Sequence, residues 1–522
     1  MKPTSFVRWT AALALLLALS VSLSLVGCRT GSDAAARRYE FIVLQLNDVY
    51  EIAPLEGGKV GGMARVATIR QRLLKENPNT LTVLAGDFLN PSLIGMLKDE
   101  RGNAIRGAQM VEVMNAAGVD VVTFGNHEFD LKEAELQQRL NESAFAWTSC
   151  NAWHKTPAGR RPFERIRDGR REEVPDYLER TFCLPGSVKA GVRVGLIGVT
   201  IPFNDAGYVE YSDVFESFRR TRDAISNRCD VVIAITHQFV ATDRELARRV
   251  PGTALILGGH DHDHMIMDVA DTRIAKADAN ARTVYIHRVS FDRVTRRTTV
   301  RSTLQAIDES IPADPAVERV VRKWLDIANT SLTKAGYQPD EILATAHAPL
   351  DGREAVIRAQ PTNLGRLIAA AMLAAGPPAD AALLNSGSVR VDDELRGAIR
   401  QYDVLRTLPF GGGIVYAKLQ GDVLERALLA GSVTNVGTGG FLQTAGVTKA
   451  QGRWLIGGQP LDVNRSYTVV MTDFLSQGRE ANLGFLKDSV AEKPETLGAG
   501  KVRNDLRDVL IAYLRSRREL GK

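Results

Sequence analysis

Between residues 39 and 310 short apolar runs alternate with stretches of helical periodicity. Phe41–Leu46, Leu81–Ala85, Val119–Phe124, Val192–Val199, Val231–Thr236 and Ala254–Leu257 are four to eight residues long and rich in Val, Ile and Leu. Mostly apolar runs of this length predict strands covered on both faces. Thr68–Lys75 and Arg244–Val250 read as helices between them. The alternation predicts an α/β layered domain over 39–310. One insertion, Arg160–Arg171, is charged and contains Pro and Gly, and reads as a solvated loop.

Past residue 310 the pattern changes. Pro312 and Pro315 precede Ala316–Lys334, which predicts a helix bridging two domains, so 311–340 reads as a linker. A second, smaller α/β region fills 341–522. It contains a small-residue helix (Leu364–Ala375), a strand (Ala381–Leu384) and the Gly-rich segments 411–413 and 437–440. No internal repeat is visible.

Length and composition agree with this division. The chain has 522 residues, 44% hydrophobic and 24% charged, which suits a soluble chain of two to four domains. The net charge is +5, and cutting before Cys28 removes Lys2 and Arg8 and leaves +3. That small, dispersed charge excludes a nucleic-acid binder.

Residues 1–28 read as an export signal: Lys2 and Arg8, then Ala11–Val26, apolar except for Ser20, Ser22 and Ser24. Leu25-Val26-Gly27-Cys28 is similar to a bacterial lipobox, whose Cys takes a diacylglycerol. An uncleaved anchor is the alternative, but the apolar run is short for a span of about 20 residues. Either reading puts the globular part outside the cytoplasm, periplasmic or on the cell surface and held to the membrane, with 29–38 as a tether. Cys150, Cys183 and Cys229 remain, which allows one disulfide in an oxidising compartment.

The chemistry is written at the strand ends. The apolar runs lead into Asn47-Asp48, Gly86-Asp87, Gly125-Asn126-His127-Glu128, His237, and Gly258-Gly259-His260-Asp261-His262. In open α/β sheets ligands gather beyond the carboxyl ends of strands. Five of the eight histidines (His127, His237, His260, His262, His264) lie at or just after these ends. Each alone fits a core or surface position; with Asp48, Asp87 and Asn126 the set points to metal. Mixed oxygen and imidazole donors suit Zn, Mn or Fe better than Mg or Ca. Two such ions lower the pKa of a bridging water and clamp an in-line displacement at phosphorus.

Leu46-Asn47-Asp48, Gly62-Met63-Ala64-Arg65, Ala85-Gly86-Asp87, Gly125-Asn126-His127-Glu128-Phe129-Asp130, Thr236-His237 and Gly259-His260-Asp261-His262 resemble, in order and spacing, the calcineurin-like motifs of the 5′-nucleotidase family. The resemblance implies a four-layer β-sandwich flanked by helices, a linker helix and a C-terminal substrate domain. It implies two divalent metal ions. Asp48 and His262 would hold the first, Asn126, His237 and His260 the second, and Asp87 would bridge them. His127 would act on the phosphoryl group or leaving oxygen, oriented by Asp130. The family usually reads Asn-Asp-x-His where this chain has Asn47-Asp48-Val49-Tyr50, which implies a changed first metal site.

The resemblance continues through Thr362-Asn363-Leu364-Gly365, Asn385-Ser386-Gly387-Ser388-Val389-Arg390, Leu408-Pro409-Phe410-Gly411-Gly412 and Asp473-Phe474-Leu475. It implies that Arg358 and Arg390 hold the anion, Asn385 makes polar contacts, and Phe410 and Phe474 sandwich a base. Where the family has Gly-Gly-Asp this chain has Gly478-Arg479-Glu480, so Glu480 stands in for a sugar or base contact. The implied activity is hydrolysis of nucleoside 5′-phosphates to nucleoside and phosphate. Nucleotide sugars, 2′,3′-cyclic nucleotides, sugar phosphates and a sulfur ester are alternative substrates, and a non-catalytic nucleotide-binding lipoprotein is the alternative of another class.

Overall fold

A computed structural model describes residues 38–183, 191–203, 206–498 and 502–521. The export signal, the lipobox with Cys28 and all but the last residue of the tether lie outside the described residues. Among the described residues no helix is long and apolar enough to cross a membrane.

Two six-stranded sheets form the amino-terminal half. One runs Arg297–Ala306, Thr283–Asp292, Arg38–Leu46, Thr80–Leu84, Val121–Val122, Ala146–Trp147. The other runs Met265–Val269, Thr272–Lys276, Leu255–Gly259, Val231–His237, Gly191–Thr200, Tyr177–Cys183. Successive strand side chains point to opposite faces, and the core sorts by this rule. Phe41, Val43, Ile233, Ile235, Leu255 and Leu257 fill the space between the sheets. Ile42, Leu44 and Leu46 instead meet helices Met63–Glu76 and Ala108–Ala117. Val232, Ala234 and Ile256 meet helices Val214–Ile225 and Val240–Arg249. Helix, sheet, sheet and helix are the four expected layers.

Helix Pro315–Lys334 begins where the sequence places it. Asp314 caps it, accepting from the amides of Ala316 and Val317, and Pro315 needs no amide partner there. Val317, Val321, Trp324 and Ala328 pack into the amino-terminal core, and Leu332 reaches the carboxyl-terminal one. Beyond it a five-stranded sheet, ordered Leu442–Ala445, Ala381–Asn385, Ser466–Thr472, Ile414–Gln420, Val490–Glu492, carries helices Asn363–Ala374 and Leu506–Arg517.

Two local expectations fail. Arg160–Arg171 is not a loop: Gly159–Arg161 adds to a small sheet, and Glu164–Arg167 pairs with Arg170–Glu173 as a hairpin. Asp168-Gly169 both take positive φ, the preference of a tight hairpin turn. Arg165 meets Glu172 across the strands at 2.7 Å, and Phe163 is buried against Phe124 and Phe129. Val119–Phe124 pairs only at Val121–Val122, although every residue of the run except Asp120 is buried. No disulfide joins any two of Cys150, Cys183 and Cys229, because Cys150 and Cys229 are both buried free thiols.

His287 ties the first sheet to strands Leu255–Gly259 and Thr272–Lys276 of the second. Its ring bonds Ser302 Oγ at 2.7 Å and Gln45 Oε1 at 2.9 Å, and Gln45 donates to the carbonyls of Gly258 and Ala275. Burial, with Arg273 nearby, holds this imidazole down at about 3 against 6.5 when exposed. The unfolded chain takes up a proton below pH 6.5 that the folded ring refuses. The ring's contribution to stability is therefore complete above 6.5 and is lost as pH falls towards 3, by about 1.4 kcal/mol per unit. His287→Gln should flatten the fall in denaturation midpoint between about pH 6 and 4. An unchanged slope would mean that the folded ring protonates freely.

Candidate metal centre and substrate face

The ends of strands Arg38–Leu46, Thr80–Leu84, Val231–His237 and Leu255–Gly259 meet on one patch. Turning the chain sharply there puts Asp48, Asp87, His260 and His262 in the left-handed region (φ 52°, 54°, 82° and 63°). Such strain in non-glycine residues gathers at functional sites. Two glycines allow the close approach: a Cβ at Gly125 would lie 2.1 Å from Asp87 Oδ1, and one at Gly259 would lie 2.3 Å from the Ala85 carbonyl.

The candidate ligand atoms converge. His237 Nε2 lies 3.1 Å from Asp87 Oδ2 and 3.8 Å from Asp48 Oδ1. His262 Nε2 lies 3.3 Å from Asp48 Oδ1, and His260 Nδ1 lies 3.2 Å from Asn126 Oδ1. Asp87, His237 and His260 each present a donor atom within 4.8 Å of the others. His237 Nδ1 donates to the Ala85 carbonyl at 2.8 Å, which aims Nε2 at the carboxylates. Asp48 Oδ2 is already taken by the His260 amide and Asn47 Nδ2. Asp48 Oδ1 and His237 Nε2 are buried without a hydrogen-bond partner. Two buried orphan atoms facing one another, one anionic and one imidazole, fit divalent cations.

The electrostatics say the same. Burial opposes the ionisation of Asp48 and Asp87, yet His237, with His262 or His127, holds both carboxyls below their usual range. Burial would depress His237, but Asp87 and Asp48 outweigh it and push the ring up to about 9. Without metal, imidazolium supplies the positive charge these carboxylates require. Tyr50 stands where the resembled motif usually has His, and behaves differently. Its hydroxyl donates to Asp87 Oδ2 at 3.1 Å and lies 3.3 Å from His262 Nε2. Burial, Asp87 and Asp48 push the phenol well above 10, so in the metal-free centre it is a neutral donor.

His127 opens a short helical turn, His127–Asp130, and its Nδ1 donates to Asp130 Oδ2 at 2.6 Å. Asn90 also donates to Asp130 Oδ2. The His127 amide donates to Asp87 Oδ1 at 2.8 Å, so the ring stands beside the centre. From the carboxyl-terminal half, Arg390 Nη2 donates to His127 Nε2 at 3.2 Å. Glu354 joins Arg390 to Arg358, at 3.7 and 2.7 Å. Burial opposes ionisation of Glu354, but Arg358, His262 and Arg390 hold it at about 2.

Asn385 accepts from Ser388 and Thr472 and donates to Glu480 Oε2 at 3.2 Å. Phe410 and Phe474 are 49% and 38% exposed. Their segments are joined, because Asp473 and Gly413 exchange two hydrogen bonds, of 2.9 and 3.0 Å. Phe474 lies on the short helix Asp473–Ser476 rather than in a loop.

Sequence reasoning missed four supports. Buried Glu128 accepts from the amides of Gly125, Asp87, Phe88 and Leu89, fixing two ligand loops at once. Its place in Gly-Asn-His-Glu was the available signal. Lys276, fully buried, donates to the Gly259 and Gln238 carbonyls and to Asp261, and pairs with Asp243 at 2.9 Å. Glu354 and Asp392 approach from the second half of the chain, and no local pattern marks them.

Residues 41–264 match the calcineurin-like phosphoesterase family, and residues 342–487 match the 5′-nucleotidase C-terminal domain. The chain is 26% identical over 443 residues to the trifunctional nucleotide phosphoesterase protein YfkN of Bacillus subtilis. That match covers 78% of this chain and 29% of the relative, so the chain spans under a third of its length. The chain is 25% identical over 469 residues to the 5′-nucleotidase of Bos taurus, covering 79% of this chain and 75% of that one. Among solved structures, a 5′-nucleotidase precursor from Thermus thermophilus shares the fold with a TM-score of 0.71 at 22% identity, over 92% of this chain and 97% of the other.

Proposed function

The chain belongs to the 5′-nucleotidase family of calcineurin-like phosphoesterases, and from that premise we propose that it hydrolyses nucleoside 5′-phosphates to nucleoside and phosphate. The observation that carries this reading is the pair of buried atoms without a hydrogen-bond partner, Asp48 Oδ1 and His237 Nε2, beside the His127–Arg390 contact. A cation site thereby adjoins an anion site. In our assignment Asp48 and His262 would hold the first metal, Asn126, His237 and His260 would hold the second, and Asp87 would be shared between them. Two divalent ions, when bound, polarise the phosphoryl oxygens and acidify water.

The chain's own groups do the rest. Arg390 and Arg358 present planar forks to the phosphoryl oxygens. Asp130 keeps His127 Nδ1 occupied, so Nε2 is the atom offered to the phosphoryl group or leaving oxygen. Tyr50 steadies Asp87 through its hydroxyl.

Base selection falls to the second half of the chain, because the metals act on any phosphate ester that reaches them. A base stacked between Phe410 and Phe474 gains about 1–3 kcal/mol per ring. Phe410→Ala and Phe474→Ala should each lower kcat/KM for AMP roughly 5- to 150-fold. Hydrolysis of p-nitrophenyl phosphate, small enough to bypass the rings, should change far less. Equal losses on both substrates would mean that the rings do not select the base.

The export signal and lipobox support a periplasmic or surface enzyme held by a lipid on Cys28. Cys28→Ser should release the protein from the membrane fraction. An unchanged partition would assign the anchor to the apolar segment itself.

A further inference from the structure

One contact from the carboxyl-terminal half reaches the metal centre itself. His262 Nδ1 donates to Asp392 Oδ2 at 2.6 Å, which leaves Nε2 aimed at Asp48 Oδ1. The other Asp392 oxygen accepts from the Glu354 amide at 2.7 Å, so the carboxylate is held at both ends. Asp392 takes positive φ (39°), a backbone state uncommon outside glycine. Its neighbour Asp393 pairs with Arg282, which also pairs with Glu56 at 2.8 Å. Two adjacent carboxylates of the second half thus grip the first, one at the metal centre and one beside it.

A metal-binding imidazole is fixed by what its other nitrogen bonds, and loss of that partner weakens metal affinity about 10- to 100-fold. For His237 the partner is a carbonyl of the same half of the chain, that of Ala85. For His262 it lies 130 residues away, in the other half. We infer that Asp392 is a positioning residue that completes the first metal site from the substrate-binding half, so that first-metal affinity depends on how the two halves sit together. This rests on the assignment of His262 as a first-metal ligand, and the variants below separate the two claims.

The probe is Mn²⁺, titrated calorimetrically into metal-free full-length protein. Asp392→Asn keeps the shape and an acceptor for the Glu354 amide but removes the charge. It should raise the dissociation constant at one of two sites about 10- to 100-fold and leave the other unchanged. His262→Gln should weaken the same site, and Asp392→Asn added to it should cost little more. Two native affinities in Asp392→Asn alongside a lost site in His262→Gln would overturn the role of Asp392. Native affinities in both would overturn the ligand assignment instead. The melting midpoint of the metal-free variants monitors folding, and Asp392→Ser is measured in parallel. X-ray scattering of the unaltered protein is independent of any variant. Mn²⁺ should make the particle more compact, and superimposable profiles with and without it would overturn the coupling.

Discussion

Asp87→Asn should lose at least one bound ion and lower turnover by about 10²–10³-fold or more, the size expected when a group acting on developing charge is removed. Both oxygens of Asp87 are in use. Oδ1 accepts from the His127 amide, and Oδ2 faces both the Tyr50 hydroxyl and His237 Nε2. An amide cannot serve all three, because its nitrogen would face another donor on one side. It also removes the negative charge that would be shared by two cations. The backbone should tolerate the change: Asp87 has φ 54°, and Asn is among the few residues that visit that region readily. The fold is thereby kept while the chemistry is lost. Elemental analysis beside a phosphate-release assay checks this, and two ions with full turnover would refute a bridging role.

His127→Ala should behave differently, lowering kcat by about 10²–10⁴-fold with both ions retained. The ring's hydrogen-bond contacts are Asp130 on one nitrogen and Arg390 on the other, rather than the orphan atoms Asp48 Oδ1 and His237 Nε2. The backbone bond that joins this residue to Asp87 comes from the amide and survives truncation. A loss confined to the transition state lowers kcat and kcat/KM together. Loss of metal from His127→Ala would make the ring a ligand. A raised KM at unchanged kcat would make it a binding group only.

The parts of this site that were legible in sequence share a physical cause. A strand buried on both faces is a continuous apolar run, so Asp48, Asp87, His237 and His260 stand out where each run stops. The α/β layering follows from the same runs, whereas the number of layers, four, came from the resemblance. The hairpin Glu164–Glu173 was hidden for the opposite reason. Its strands are charged, its stability comes from pairing and one buried Phe163, and its only local mark is Asp168-Gly169. Lys276 was invisible because it is an ordinary Lys until Asp243 and Asp261 are folded around it. Asp392 and Glu354 act across the two halves of the chain, where periodicity carries no information. Tyr50 was visible as a departure, but only the folded chain shows that its hydroxyl donates to Asp87.

The central claim is that this centre cleaves nucleotides. Inorganic phosphate released by the purified, Mn²⁺- or Zn²⁺-loaded protein tests it, with AMP, a nucleotide sugar, a 2′,3′-cyclic nucleotide and a sugar phosphate compared at equal concentration. The account predicts rapid release from AMP, abolished by chelation and restored by added metal. A sugar phosphate cleaved well with AMP untouched would keep the metal chemistry and remove the nucleotide. Tight AMP binding with no phosphate released from any substrate would contradict the account outright.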